Sequence, residues 1–346
     1  MCNIAGYAGK RRAAPILIEM IKRQQYFDGG LSTGIATIHN GKLYSAKILG
    51  DADDLIQKTA ALSLPGTIGI IHSRPDNDFI QNAHPFLCEN KQTAIVENGN
   101  ACKDEAVLSE RSRVVNLLLE NGFMFDSAVV KEKSTNPQLN DGRYVSYDEV
   151  YAKYIEYLRK ENSLTYPQAM AKASSNLFSD SVYLMLSANS PDNIYVSRMT
   201  RPMNIMKADG ECYISTSQMA FPELDNAEYI KTLPHMKICV VTKDGYAETD
   251  NMITTGTVTD YTPEEFADIK EALRRKLQKT PSSMDGMGGG ITVSNVSPHN
   301  FRPHVKVIYD ALWELHKEGV LKTEIRTSSL SWLPESIKVK RTFFSV

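Results

Sequence analysis

The chain has 346 residues, 42% of them apolar and 23% charged, which is typical of globular proteins and too long for one small core. We therefore expect more than one domain. The formal net charge is −2 and the isoelectric point is about 6.4, so no global positive field favours nucleic acid or an acidic membrane surface as a ligand.

The cysteines and the apolar runs indicate where the chain resides. Cys2, Cys88, Cys102, Cys212 and Cys239 are odd in number and scattered, without a CxxC pair or a His/Cys cluster at metal-ligand spacing. No apolar run approaches the roughly 20 residues that cross a bilayer, and the start lacks the features of a signal peptide. We expect a cytoplasmic protein in a reducing compartment, with no metal, no other cofactor and no membrane contact.

Periodicity and turn residues predict the elements of the first 125 residues. A buried strand opens the chain at residues 3–9, and a helix follows at 14–25. Further strands are predicted at 34–39, 42–48, 66–72 and 93–97, and a helix at 106–121. The first two of these strands meet at Asn40 and Gly41, a strong hairpin signal because both turn positions need positive φ.

The region from 126 to 250 continues the alternation of helices and strands. Residues 126–142 are polar and without period, which indicates a surface loop or insertion. Helices are predicted at 146–160 and 167–177, and strands at 181–187, 193–197, 211–217 and 237–242. This order predicts an α+β fold in which helices cover stacked antiparallel sheets.

The last hundred residues have a different character. A charged helix is predicted at 263–279, and residues 280–298 are rich in Gly, Ser, Met and Pro, which is typical of a linker. A helix at 305–317 and a strand at 320–327 resemble the last helix and wing of a winged-helix module. We therefore divide the chain into residues 1–250, a helix and linker at 251–298, and a small C-terminal unit at 299–346.

A Met-Cys start can supply a nucleophile together with its base. Removal of Met1 leaves Cys2 with a thiol and a free α-amino group, whose pKa near 7.7 to 8.0 allows it to take the thiol proton near neutral pH. By itself the dipeptide is weak support, because Cys2 could equally pack as a small apolar residue.

Several further segments, in order, resemble the class II glutamine amidotransferases over residues 1–250. The start MCNIAG resembles the family's start, although Asn3 stands where a Gly usually follows the cysteine. The segment GGLSTGIA at 29–36 is similar to the next family segment, with Asp28 in place of its usual Arg. The resemblance implies a four-layer αββα sandwich of the N-terminal nucleophile (Ntn) hydrolase type, with Cys2 as the nucleophile.

The segments GIIHSR at 69–74 and NAHP at 82–85 resemble the part of the family that holds glutamine. By that resemblance Arg74 binds the α-carboxylate of glutamine through a bidentate pair, and Asn82 and His84 line the pocket. Pro75 stands where the family often has Trp, so we expect a different pocket wall there.

The segment VENG at 96–99 resembles the family's Val-His-Asn-Gly. There the Asn side-chain amide and the Gly backbone N–H form the oxyanion hole, where one donor is worth about 3 kcal/mol. The resemblance thus assigns Asn98 and Gly99 to transition-state stabilisation. Asn-Gly alone is far more often a turn, so the assignment depends on its position after Arg74 and His84.

The α-ammonium ligand depends on how the insertion is treated. If residues 126–144 are inserted, SYDEV at 146–150 opens a helix as the family's Asp-containing segment does, and Asp148 becomes the ammonium ligand. The alternative is that Asp148 and Glu149 only favour a helix N-terminus electrostatically.

These residues predict a glutaminase that forms a thioester at Cys2 and releases ammonia. The 96 residues after position 250 are too few for the family's synthase domains, so we expect an ammonia-accepting protein in trans. Two alternatives stay open: an N-terminal-cysteine amidase or acylase acting on another amide, and a degenerate regulatory protein. The basic run KVKR at 338–341, with His304 and Lys306, is the only support for nucleic acid binding by the latter.

Overall fold

The structure is a computed structural model, and it describes the chain except for residues 1, 77–78, 89, 101–103, 132–133, 135, 298–299 and 331–337. Cys102 therefore lies outside the described residues. No helix within the described ranges is long and apolar enough to cross a membrane.

The strands are, in chain order, β1 (Asn3–Ala8), β2 (Ser32–His39), β3 (Lys42–Leu49), β4 (Ile68–Arg74), β5 (Phe86–Leu87), β6 (Thr93–Asn100), β7 (Asp180–Ser187), β8 (Ile194–Arg198), β9 (Asn204–Ala208), β10 (Glu211–Ser215), β11 (Ala227–Thr232), β12 (Lys237–Thr242), β13 (Gly245–Met252), β14 (Thr257–Val258), β15 (Asn295–Ser297), β16 (Asn300–Phe301), β17 (Lys322–Ser328) and β18 (Val339–Ser345). The helices are α1 (Ala13–Asp28), α2 (Ala52–Lys58), α3 (Glu105–Glu120), α4 (Tyr147–Asn162), α5 (Tyr166–Asn176), α6 (Pro263–Lys279), α7 (Met284–Met287) and α8 (His304–Lys317).

Two antiparallel sheets form the centre of the fold. The first has the order β11-β9-β10-β1-β4-β2-β3, and the second has the order β13-β12-β8-β7-β6-β5. Apolar side chains of both sheets, among them Ile4, Ile70, Val96 and Val182, pack between them as one buried cluster. Each sheet thus buries one face against the other, and helices cover its other face, so that burial on both faces accounts for the near-continuous apolar sequence of β1, β4 and β7.

Helices cover the outer faces of both sheets. A cluster that includes Leu17 and Ile21 of α1 packs on the first sheet, and a cluster that includes Tyr151 and Ile155 of α4 packs on the second. These layers confirm the predicted α+β four-layer αββα sandwich. The predicted hairpin is also present, because β2 pairs with β3 and both Asn40 and Gly41 have positive φ.

The C-terminal unit packs on the sandwich. Helices α6, α7 and α8 and strand β18 form a buried cluster that includes Phe27 of α1, and the Phe27 ring contacts Phe344 edge-on at 5.1 Å between centroids. The helix and first strand of this unit lie where the sequence predicts them. Residues 280–297 differ from a flexible linker, because Met284 and Met287 are buried in this cluster. Glycine and serine content does not reveal such apolar anchors.

Candidate active site

The first strand places Cys2 in the middle of the first sheet. Strand β1 lies between β10 and β4, so the residue that precedes Asn3 emerges at the end of a central strand. Cys2 is half-buried, and its backbone N–H donates to Oδ1 of Asn98 on β6 at 3.0 Å. This hydrogen bond joins the two sheets at the predicted nucleophile.

The same hydrogen bond orients the Asn98 amide. Its Oδ1 accepts from Cys2, and its Nδ2 is buried without a hydrogen-bond partner among the residues that the structure describes. A buried donor left unpaired costs about 1 to 3 kcal/mol, so its retention is typical of a functional group that waits for a ligand. This amide is well placed to donate to an oxyanion beside Cys2.

The next residue, Gly99, has no room for a side chain. A Cβ at this position would lie 2.1 Å from Oε1 of Glu97 and 2.5 Å from Cβ of Ser181. Only glycine at position 99 therefore allows the backbone of β6 to lie this close to Ser181 of β7 and to the Glu97 carboxyl group.

Arg74 ends β4, next to the nucleophile strand. Its Nη1 donates to the backbone oxygen of Asn82, and its Nη2 forms an ion pair with Asp76, both at 2.5 Å. These contacts hold the guanidinium at the mouth of the site. A glutamine carboxylate at Arg74 would have to share it with Asp76.

The loop after β4 brings Asn82 and His84 into the same buried region. The His84 ring lies 4.0 Å from the His72 ring, centroid to centroid, and Oδ1 of Asn82 has no hydrogen-bond partner. Burial lowers the pKa of both histidines well below its usual range, and the nearby Arg74 lowers both further. Both imidazoles are therefore neutral. The loop can lie this close to β2 because Gly34 has no Cβ, which would meet the His84 backbone oxygen at 2.1 Å.

The structure also shows which acid of the Asp148-Glu149 pair faces the site. Glu149 accepts hydrogen bonds from the backbone N–H groups of Asp126 and Ser127, at 2.9 and 2.8 Å, and so anchors the start of the 126–142 segment. Asp148 lies 3.3 Å from His84, Oδ2 to Nε2, and within the described part of the chain its Oδ1 has no hydrogen-bond partner. The backbone of the 126–142 segment therefore binds the Glu149 carboxylate, whereas the Asp148 carboxylate faces the pocket.

Asp148 is electrostatically costly where it stands. Burial raises the pKa of its carboxyl group to about 7, while Arg74 and Arg111 oppose that rise. An arriving ammonium group would supply the missing positive partner. This environment fits a ligand site better than a purely structural helix start, where a surface carboxylate would remain solvated.

A second buried acid, Glu97, was not among the residues predicted for the site. Burial raises its pKa well above its usual range, and the Asp148 charge raises it further. The Tyr147 hydroxyl donates to Oε1 of Glu97 at 3.1 Å, and the Arg111 guanidinium lies 4.8 Å from the centre of the Tyr147 ring. Glu97 occupies the His position of the family's Val-His-Asn-Gly, and this difference was its only signal in the sequence.

The thiol lies within the field of these groups. Burial raises the pKa of Cys2 to about 12, and the charges of Glu97 and Asp148 raise it while Arg74 lowers it. The thiol is therefore neutral as long as no base takes its proton. Among the described residues, no group of three His, Cys, Asp or Glu side chains could hold a metal ion.

The predicted site residues thus meet in one place, although they come from five separate segments. Cys2, Arg74, Asn98 and Asp148 converge at one end of the paired sheets, with Asn82 and His84 between them. The αββα sandwich, with a half-buried cysteine at the start of its central strand, has the fold of the N-terminal nucleophile hydrolase type.

Two known proteins are similar to this chain in sequence. The chain is 28% identical over 242 residues to the glutamine–fructose-6-phosphate aminotransferase of Pyrococcus horikoshii, and 27% identical over 253 residues to that of Chlorobaculum tepidum. These matches cover 66% and 71% of this chain but only 36% and 37% of the relatives. No family model matches the chain.

A solved structure supports the fold. The glutamine phosphoribosylpyrophosphate amidotransferase of B. subtilis superposes with a TM-score of 0.57 at 16% identity, over 93% of this chain and 66% of that one. The sequence relatives support a class II glutamine amidotransferase (Ntn) domain in this chain, and the solved structure supports its fold.

Proposed function

We propose that this chain hydrolyses the side-chain amide of glutamine at Cys2. The observation that carries the proposal is the Asn98 amide, which holds the Cys2 backbone through Oδ1 and keeps a buried, unpartnered Nδ2 beside it. A thiol next to a waiting amide donor fits acyl transfer, in which negative charge develops on a carbonyl oxygen.

The reaction begins with the removal of Met1, which converts the Cys2 backbone N–H into a free amine. That amine takes the thiol proton, and the thiolate attacks the amide carbon of glutamine. The oxyanion is stabilised by Nδ2 of Asn98 and, by the family resemblance, by the backbone N–H of Gly99. The protonated α-amine of Cys2 then gives its proton to the leaving amide nitrogen, which departs as ammonia. Water cleaves the remaining thioester to give glutamate and the free thiol.

The pocket holds the other end of glutamine by charge. In this proposal Arg74 pairs with the α-carboxylate and Asp148 with the α-ammonium, while Asn82 and His84 line the space between them. Two opposite charges favour an α-amino acid over a simple acyl amide, because a simple amide would bring no ammonium group to Asp148 and no carboxylate to Arg74.

The contacts of the C-terminal basic residues disfavour a nucleic acid role. Arg341 is buried and pairs with Asp285, Lys306 pairs with Asp310, and Lys340 contacts Tyr26. These cations are compensated within the chain. The acceptor of the ammonia is a further part of the proposal: we expect a separate protein in the same, cytosolic compartment to receive it.

The test joins mass spectrometry with an activity panel. Intact mass should show loss of Met1, and a glutamine analogue with an electrophilic side chain should label the Cys2 peptide. Glutamate should form from glutamine with the wild type and with Cys212→Ala, a matched buried cysteine, but not with Cys2→Ala. Hydrolysis of simple acyl amides with none of glutamine would instead establish the amidase alternative, and an unreactive Cys2 would leave the regulatory one.

A further inference from the structure

The C-terminal helix α8 lies directly against the strand that carries the nucleophile. Tyr309, in the middle of α8, is 1% exposed, and its hydroxyl lies 3.5 Å from Oδ1 of Asn3, the residue after Cys2. The neighbouring Asp310 accepts a hydrogen bond from Nε2 of Gln218 at 3.2 Å. Two successive residues of α8 thus contact the first sheet region, one at β1 and the other at the residue Gln218 that follows β10.

The contact joins residues far apart in the chain at a fully buried point. Asn3 is 0% exposed, and its Oδ1 accepts from the Tyr309 hydroxyl, whereas its Nδ2 has no hydrogen-bond partner among the described residues. A buried amide oxygen without such a donor would cost stability.

Tyr309 acts as the donor in this contact. Burial raises the pKa of its hydroxyl well above its usual range, and the charge of the buried Asp28 raises it further. Arg201 opposes that effect, and a thiolate at Cys2 would add to it. The hydroxyl therefore keeps its proton throughout the working pH range, and its surroundings include the nucleophile itself.

Asn3 is also one of the positions at which this chain departs from the family that it resembles. A glycine there offers no side chain, so it could not accept a side-chain hydrogen bond from a C-terminal unit in this way. The link between Asn3 and Tyr309 therefore depends on the asparagine at position 3.

We propose that Tyr309 is a positioning residue for Cys2, so that the C-terminal unit completes the nucleophile site rather than accompanying it. The role in turnover rests on the proposed glutaminase function. The positioning of the thiol can be measured without it.

The experiment is a double-mutant cycle on the full chain with Tyr309→Phe and Asn3→Gly, and with Asn3→Ala as a second partner variant. Tyr261→Phe is the matched control, because its hydroxyl donates to the backbone oxygen of Val293 in the same C-terminal region. Intact mass verifies Met1 removal in each protein, and thermal unfolding verifies folding. Glutamine kinetics and the rate of iodoacetamide alkylation of the Cys2 peptide are then measured from about pH 6 to pH 9.

We expect Tyr309→Phe to lower kcat and the Cys2 alkylation rate about tenfold, with KM for glutamine unchanged. In the Asn3→Gly or Asn3→Ala background the same change should have less than about a twofold effect, because its partner is gone. The control should match the wild type. If Tyr309 had a purely structural role, Tyr309→Phe would lower stability, but its effect on kcat and on Cys2 alkylation would not depend on the residue at position 3.

Equal alkylation rates in Tyr309→Phe and wild type, or the same loss in both backgrounds, would overturn the inference. If no variant and no wild type hydrolyses glutamine, the proposed function fails, yet the alkylation cycle still decides whether Tyr309 positions Cys2.

Discussion

Replacement of Asp148 by Asn separates the proposed substrate-binding role of this residue from its effect on folding. The buried carboxylate has one oxygen without a partner and the other 3.3 Å from the neutral His84. Asn keeps the shape and can still reach His84, but it removes the charge. The variant should therefore bind glutamine poorly while folding more stably at alkaline pH.

The magnitude follows from the pKa. Burial raises the pKa of Asp148 to about 7 in the folded chain, against about 3.9 when unfolded. A folded-state pKa above the unfolded value means that the folded form binds the proton more tightly, so stability falls as pH rises from about 4 to about 7. Ionisation of Asp148 lowers the free energy of unfolding by about 4 kcal/mol in total above pH 7, and about 3 kcal/mol of this loss occurs between pH 5 and pH 8.

Urea unfolding at pH 5 and pH 8 measures this difference. The stability of Asp148→Asn relative to wild type should rise by about 3 kcal/mol between the two pH values, whereas the exposed Asp192→Asn should show no such rise. Loss of the ammonium partner should lower kcat/KM for glutamine about 100-fold at pH 8. A stability gap that does not change with pH would refute the buried, uncompensated carboxylate, and an unchanged kcat/KM would refute its role as the ammonium ligand.

Three further substitutions test the rest of the site. Asn98→Ala should lower kcat about 100- to 1,000-fold with little change in KM, because an oxyanion donor acts only in the transition state; steady-state glutamine kinetics measure it, and a change confined to KM would contradict it. Arg74→Lys should raise KM roughly 10- to 100-fold with a smaller change in kcat, since one ammonium cannot replace a bidentate fork; equal KM values would exclude Arg74 as the carboxylate clamp. Gly99→Ala should destabilise the fold by about 1 to 3 kcal/mol or more, because its Cβ would meet the Glu97 carboxyl group and Ser181; an unchanged urea midpoint would show that β6 can shift.

Local patterns were sufficient for much of the scaffold. The hairpin at Asn40 and Gly41, the buried strands β1, β4 and β7 and the helices α1, α3 and α4 were all readable, because each obeys a period or a turn preference within a few residues. Short strands such as β5 and β9 were not predicted, since their formation depends on the neighbours with which they pair.

The sequence by itself determined the order in which the candidate site residues occur: Cys2, Arg74, Asn98 and Gly99 belong to short motifs whose spacing is local. It predicted Asp148 as the ammonium ligand, but it left open that Asp148 and Glu149 both only favour the N-terminus of one helix. Only the tertiary structure distinguishes them, since the backbone of the insertion binds Glu149 and leaves Asp148 in the pocket.

Tertiary packing also explains two features that no sequence motif indicated, the raised pKa of Glu97 and the contact between Tyr309 and Asn3. Glu97 has a raised pKa because other elements bury it, and Tyr309 meets Asn3 across 306 positions of the chain. Contacts of this kind depend on the packing of whole layers against one another, and no periodicity within one segment encodes them. The sequence therefore determined which residues are candidates for the chemistry, and the packing of the layers decided which of them face one another.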